Sequence, residues 1–311
     1  MNNEQDLWTY TLQPQDDGQK YQEILFRKFH FSRKLIQHLK QAEERVWVNG
    51  VFTFLTARGK AGEILAVQLQ TPETNSIPGE NLPLEILYED DYFLAVNKPA
   101  GQVVHPTPRY PTGTIGNAVV GYWLAQGEAR PFRPIHRIDR NTSGVVVVGK
   151  NQFAHQQMAW QHTHRRIHKC YLGIVEGQVK EDQGVINAPI ALAPGSFMQR
   201  QISLEGSPAV THYKVLERYQ DASLLEFVLE TGRTHQIRVH CQHLGHSLLG
   251  DDLYGGSLAR IDRQALHSSI YEFNHPLTGE LTSIQAPLPE DLQQLLRGLR
   301  SLMCNRSTPS K

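Results

Sequence analysis

The stretch Ile135-His-Arg-Ile-Asp139-Arg-Asn-Thr-Ser-Gly-Val-Val-Val-Val148 runs a polar, turn-forming segment straight into an apolar β-branched run. Four successive valines read as a buried strand. Asp139 is thereby placed at the rim of a sheet, between Arg137 and Arg140. On its own residues, D-x-N-T-S-G equally describes a turn in which Asp139 and Asn141 bond nearby backbone amides. At this point both readings stand.

Outward from this stretch, alternating or apolar runs predict strands at Glu85–Asp90, Tyr171–Val175, Val210–Leu216 and Leu224–Leu229, the first continuing through Tyr92-Phe-Leu-Ala-Val-Asn-Lys-Pro-Ala-Gly101 into His105-Pro106. Helical spacing predicts helices over Ile115–Gln126, Ala154–His162 and Thr234–Leu244. Strand excess with interspersed helices suggests an α+β domain spanning 84–300. Ahead of it, 73–83 is rich in Pro, Asn, Ser and Gly without periodicity, and reads as a linker. A polar tail over 301–311 is expected to be disordered.

The segment 14–72 reads as a small domain of its own. Ser32 is placed to cap a helix in which Leu35, Ile36 and Leu39 share one face, while Arg33, Lys34, Gln37 and Lys40 fall on the other. Asn49-Gly50 between apolar runs predicts a hairpin, and Glu63–Leu69 a further strand. The formal net charge of the chain is zero, which excludes a uniformly basic surface and leaves polyanion binding to local segments. Between Lys20 and Lys60 nine basic residues (Lys20, Arg27, Lys28, Arg33, Lys34, Lys40, Arg45, Arg58, Lys60) face three acidic ones (Glu23, Glu43, Glu44). A second basic cluster is His162-Thr-His-Arg-Arg-Ile-His-Lys169, a solvated loop by default or, through Arg165 and Arg166, a contact for a polyanion.

At 311 residues the chain exceeds what one core usually organises, which favours two domains. Cys170, Cys241 and Cys304 are odd in number and far apart, as reduced thiols are. The opening residues hold no basic segment followed by an apolar run, and no stretch approaches the roughly 20 apolar residues of a membrane span. A cytoplasmic protein, without membrane association and monomeric in its simplest form, is expected.

Several motifs then take on meaning together. The run HRIDRNTSG resembles the H-R-L-D-x-x-T-S-G signature of the RluA-type pseudouridine synthases. Asn97-Lys98-Pro99-Ala100-Gly101 with His105-Pro106 resembles that family's N-K-P-x-G…H-P segment, and Lys169-Cys-Tyr171-Leu-Gly-Ile-Val-Glu-Gly177 its K-x-Y-x-A-x-V-x-G strand. Thr231-Gly-Arg-Thr-His-Gln-Ile-Arg-Val-His240, Gly250-Asp251…Tyr254-Gly255 and Ala265-Leu-His267…His275-Pro276 follow in the family's order. Departures are Ile138 for leucine, Gly173 for alanine and Ser268 where alanine is frequent. The front segment FHFSRKLIQHLKQAEERVWVNG resembles the small RNA-binding domain first recognised in a ribosomal small-subunit protein.

The resemblance implies an α+β catalytic domain with a mixed, largely antiparallel sheet, and isomerisation of uridine to pseudouridine in ribosomal or transfer RNA with Asp139 as nucleophile, whether at the anomeric carbon or at the uracil ring. It implies Arg238 paired with Asp139, and Tyr171 as the active-site tyrosine. Arg137 is placed for the nucleotide or its phosphates, and Leu266 for the apolar wall. The partner is RNA; no protein partner is implied. No cofactor is required, the reaction being redox-neutral. His235, His240, His243, His246 and Cys241 invite a metal-site reading. Two of them belong to the motif R-T-H-Q-I-R-V-H, which in the family binds no metal. A non-catalytic RNA-binding protein and a metal-dependent hydrolase are the rival classes.

Overall fold

The computed structural model describes residues 7–41, 45–69 and 76–304. Its front unit comprises β1 (Leu7–Thr11), α1 (Tyr21–Arg27), α2 (Arg33–Gln41), β2 (Val46–Val48), β3 (Val51–Phe52) and β4 (Ile64–Gln68), with the antiparallel strand order β1-β4-β2-β3. Ser32 Oγ accepts the Leu35 N–H at 3.0 Å, which caps α2 as its position predicts. Leu35, Ile36 and Leu39 are buried with Trp8, Leu25 and Val67, leaving Arg33, Lys34 and Lys40 in solvent. The hairpin turns at Asn49 and Gly50, with φ of 49° and 80°, so that Val48 pairs with Val51.

The larger unit continues with β5 (Ile86–Glu89), β6 (Phe93–Lys98), α3 (Ile115–Ala125), β7 (Arg133–Pro134), β8 (Ser143–Gly149), α4 (Gln152–Thr163) and β9 (His168–Glu176). There follow β10 (Gln183–Asn187), β11 (Ile190–Leu192), β12 (Arg200–Ile202), β13 (Val210–Arg218), β14 (Ala222–Leu229), α5 (Gln236–His243), β15 (Leu266–Asn274), β16 (Leu281–Gln285) and α6 (Glu290–Cys304). The main sheet runs β10-β13-β14-β9-β15-β8-β6-β5, with β16 on β15 and β7 on β8. Every pairing is antiparallel except β15 with β8, so the expected mixed, largely antiparallel sheet is found. The valines of β8 are wholly buried: Val146 and Val148 pack with α3, and Val145 and Val147 with α4 and β15.

Three features differ from the outline that the sequence suggests. Residues 76–83, the described part of the expected linker, lie against α3: Asn117 Nδ2 donates to Pro78 O at 2.9 Å and Glu80 N donates to Asn117 O at 2.9 Å. The helix α6 continues to Cys304, four residues into the expected tail; 305–311 lie outside the described residues. The front unit is also docked rather than merely tethered. Phe153 of α4 completes its core, Gln156 Nε2 donates to Ser32 Oγ at 2.7 Å, Gln157 donates to Phe29 O, and the Trp160 indole stacks on His30 with centroids 4.1 Å apart.

Candidate active site

The sheet carries a cleft of about 550 Å³ lined by the β8 approach, β9, the β14–α5 loop, α5 and the Val103–Thr107 loop. Asp139 reaches its rim on a tight turn, with Thr142 N donating to Asp139 O at 3.1 Å. The turn reading is therefore correct for the backbone. The carboxylate takes no part in it. Its partners are Arg238 Nη1, 3.3 Å from Oδ2, and His235 Nε2 at 3.8 Å, and the side chain stays 25% exposed to the cleft.

Two buried devices fix this turn. Lys98, at the end of β6, donates from Nζ to Pro99 O, Gln102 O and Arg140 O, each at 2.8 Å, so three ammonium protons meet three carbonyls. Burial pulls its pKa down to about 7, against the pull of the Asp139 carboxylate. Just beyond the turn, Gly144 has φ 111°, and a Cβ there would lie 2.1 Å from Ser268 O. Only glycine lets β8 approach β15 closely enough for their short parallel pairing.

Arg238 stands on α5 and is buried. Its main partner is Asp251: Nε donates to Oδ2 and Nη2 to Oδ1, both at 2.7 Å, and the Asp251 side chain is fully buried. This bidentate pair aims the remaining Nη1 at Asp139, while the guanidinium lies 4.9 Å from the centre of the Tyr254 ring. His235 precedes α5 in the left-handed region, with φ 58°, and its Nδ1 lies 2.8 Å from the Tyr254 hydroxyl. Burial lowers the His235 pKa, partly offset by the Asp139 carboxylate. Asp251, Tyr254, His235 and Lys98 lie inside the quoted motifs, but nothing in their spacing announced these roles.

Tyr171 on β9 and Leu266 on β15 are buried beneath the cleft. Burial, and next to it the Asp139 carboxylate, push the Tyr171 phenol up to about 12. Arg137 is exposed at the mouth, with no protein hydrogen bond among the described residues. Of the predicted residues, the fold brings Asp139, Arg238, Tyr171, Arg137 and Leu266 to one cleft. Arg165 and Arg166 lie outside its lining: Arg165 pairs with Glu230 at 2.6 Å, and Arg166 covers Trp160 at 4.9 Å. Arg33, Lys34 and Lys40 are exposed on the front unit.

The histidines that invited a metal reading go to separate partners. His240 lies against Thr211 Oγ1 and Ala188 O, and His246 against Glu176 O. Among the described residues no three metal-ligating side chains cluster.

Comparison with known proteins gives the chain that carries this cleft a family. Residues 92–243 match the RNA pseudouridylate synthase family model. The chain is 40% identical over 260 residues to the "Uncharacterized RNA pseudouridine synthase YlyB" of Bacillus subtilis, covering 82% of this chain and 86% of that protein. It is 38% identical over 300 residues to the "Ribosomal large subunit pseudouridine synthase D" of Xylella fastidiosa, covering 91% and 89%. Among solved structures, "Human RNA Pseudouridylate Synthase Domain Containing 1" superposes with a TM-score of 0.55 at 26% identity, covering 72% of this chain and 97% of that one. The chain belongs to the RNA pseudouridylate synthase family. It is an RNA pseudouridine synthase, as the HRIDRNTSG resemblance implied.

Proposed function

We propose that this enzyme isomerises a uridine of large-subunit ribosomal RNA, with Asp139 as the nucleophile. The observation that carries the catalytic reading is the Asp139 carboxylate itself, free of its own turn, part-exposed to the cleft and held by Arg238 Nη1. The ribosomal substrate is supported by relatives named ribosomal large subunit pseudouridine synthase D, at 37–39% identity.

An Asp139 oxygen attacks C1′ of the flipped nucleotide and displaces uracil through N1, leaving a glycosyl ester and a uracil anion. The anion turns within the cleft, C5 attacks C1′, and the carboxylate departs unchanged. The C5 proton is lost and N1 gains one, so the product is an isomer. Since its phenol stays protonated near neutrality, Tyr171 supplies a ring surface for the base and passes a proton on only while accepting another. Arg137, free at the mouth, suits the phosphates or the gap left by the flipped base. The exposed Arg33, Lys34 and Lys40 suit a sequence-tolerant grip on the RNA.

Incubation of the protein and Asp139→Ala with unmodified ribosomal and transfer RNA, followed by carbodiimide labelling and primer extension, tests this. Stops in large-subunit RNA with the unaltered protein alone are expected. Stops confined to transfer RNA would overturn the substrate, and equal stops with the variant would overturn the role of Asp139.

A further inference from the structure

Lys169 is a buried cation that the chemistry above does not use. It lies on β9 two residues before Tyr171, so both side chains point from the same face of the sheet into the cleft. Lys169 is only 5% exposed, yet among the described residues its Nζ has neither a hydrogen bond nor a carboxylate partner. Burying an ammonium unpaired is costly. Lys98, buried more deeply still, satisfies all three of its protons on carbonyls.

The neighbourhood deepens the contrast. Gly232 lies against this group: a Cβ there would be in van der Waals contact, 3.5 Å from Lys169 Nζ and 3.9 Å from His162 Nε2. His162 and Arg233 line the same end of the cleft, and the charges of Lys169 and Arg233 both lower the His162 pKa, after burial. Glu230, two residues before Gly232, is already engaged by Arg165 at 2.6 Å and His212 at 2.7 Å. The cleft thus holds, besides the Asp139 carboxylate, basic side chains that meet no carboxylate among the described residues.

We propose that Lys169, with Arg233 and His162 at the rim, forms an anion subsite that receives a backbone phosphate flanking the flipped uridine and so sets the nucleotide's position over Tyr171. Lys169 is on this account a positioning residue, which the ion pair that folding withholds would serve only when RNA arrives. A phosphodiester fits better than a uracil carbonyl, because the subsite opens toward the rim through Arg233, where the chain must enter and leave. The inference rests on the RNA reading of the cleft but can be tested without turnover.

In the full-length protein, lysines labelled by reductive ¹³C-methylation are followed by NMR, with the Lys169 signal assigned by its loss in Lys169→Arg. Burial lowers the ordinary lysine pKa here to about 8. Added uridine 5′- or 3′-monophosphate is expected to raise the titration midpoint of that signal, and uridine to leave it in place. A midpoint unmoved by either monophosphate, or moved equally by uridine, would overturn the proposal, whether or not the protein converts uridine.

The second arm uses substrate RNA carrying a single neutral methylphosphonate at either linkage flanking the target. For one linkage KM should rise by about tenfold to a hundredfold, the loss of one charge-assisted bond. Lys169→Met should show the same rise with all-phosphate RNA and no further rise with that methylphosphonate, while Lys169→Arg retains most of the wild-type KM. Losses that multiply, or a Lys169→Met defect confined to kcat, would place Lys169 elsewhere. Should Lys169→Met fail to fold, the methylphosphonate effect on wild type compared with Lys169→Arg decides: no effect at either linkage contradicts the subsite.

Discussion

Asp139 and Asp251 share Arg238, and the structure predicts opposite consequences when each is removed. Asp251 is fully buried and holds the Arg238 guanidinium by two bonds of 2.7 Å. Asp251→Ala leaves a buried guanidinium whose remaining close partners among the described residues are one oxygen at 3.3 Å and the Tyr254 ring. Breaking one side of a buried pair costs about 3–5 kcal/mol, and these residual partners point to the lower end, about 3 kcal/mol. Asp139 is 25% exposed and makes one bond that is long for a charge-assisted contact, so Asp139→Ala should cost less than about 1 kcal/mol while removing activity. Urea unfolding of both variants and the wild type, followed by tryptophan fluorescence, gives the comparison. Adding Arg238→Met to Asp251→Ala should recover part of the lost stability, because the unpaired charge goes with it. Equal destabilisation by the two alanines, or a near-neutral Asp251→Ala, would refute the assignment of Asp251 as the anchor and Asp139 as the presented group.

Other outcomes follow from the same contacts. Tyr171→Phe keeps the ring and loses the hydroxyl, so single-turnover rates should fall by on the order of 10²–10⁴ while RNA affinity changes little. Replacing Arg33, Lys34 and Lys40 with Gln should weaken RNA binding and flatten the plot of log affinity against log salt by about 2–3 units, measured by filter binding. Burial raises the Asp90 carboxyl pKa, but bonds from His275, Tyr88 and the Tyr92 and Phe93 amides outweigh it and bring it to about 2, below the ordinary 3.8. The folded state therefore binds fewer protons, so this stabilisation is present above pH 3.8 and is lost as pH falls toward 2. Urea midpoints taken down that window should fall less in Asp90→Asn, by on the order of 1–2 kcal/mol after allowance for partial exposure.

Local patterns carried much of this fold. The amphipathic face of α2, its Ser32 cap, the Asn49-Gly50 hairpin and the valine strand β8 depend on near neighbours, and each is found within a residue or two of its predicted place. Asp139, Tyr171 and Arg238 were legible through ordered motifs, not through their own chemistry. What stayed hidden depends on distant partners. Gly250-Asp251 looks like any turn until α5 brings Arg238 across it, and Lys98 is one basic residue among 31 until the Asp139 turn folds over it. Gln156 and Gln157 read as the polar surface of a helix, yet they meet Ser32 and Phe29, 124 and 128 residues away. The Arg165-Arg166 cluster suggested an RNA contact because charge density is visible in sequence, whereas Glu230 and Trp160, which engage the two side chains, are not.

Isomerisation replaces the hydrogen on uracil C5, so RNA transcribed with uridine tritiated at C5 releases label to water only when the reaction proceeds. The most direct test is therefore tritium release from large-subunit ribosomal RNA by the wild type and by Asp139→Asn, with RNA affinity measured in parallel. The account predicts release by the wild type and none above background by the variant at equal affinity. Release by Asp139→Asn within about tenfold of wild type, a barrier change of only about 1.4 kcal/mol, would contradict a nucleophilic Asp139.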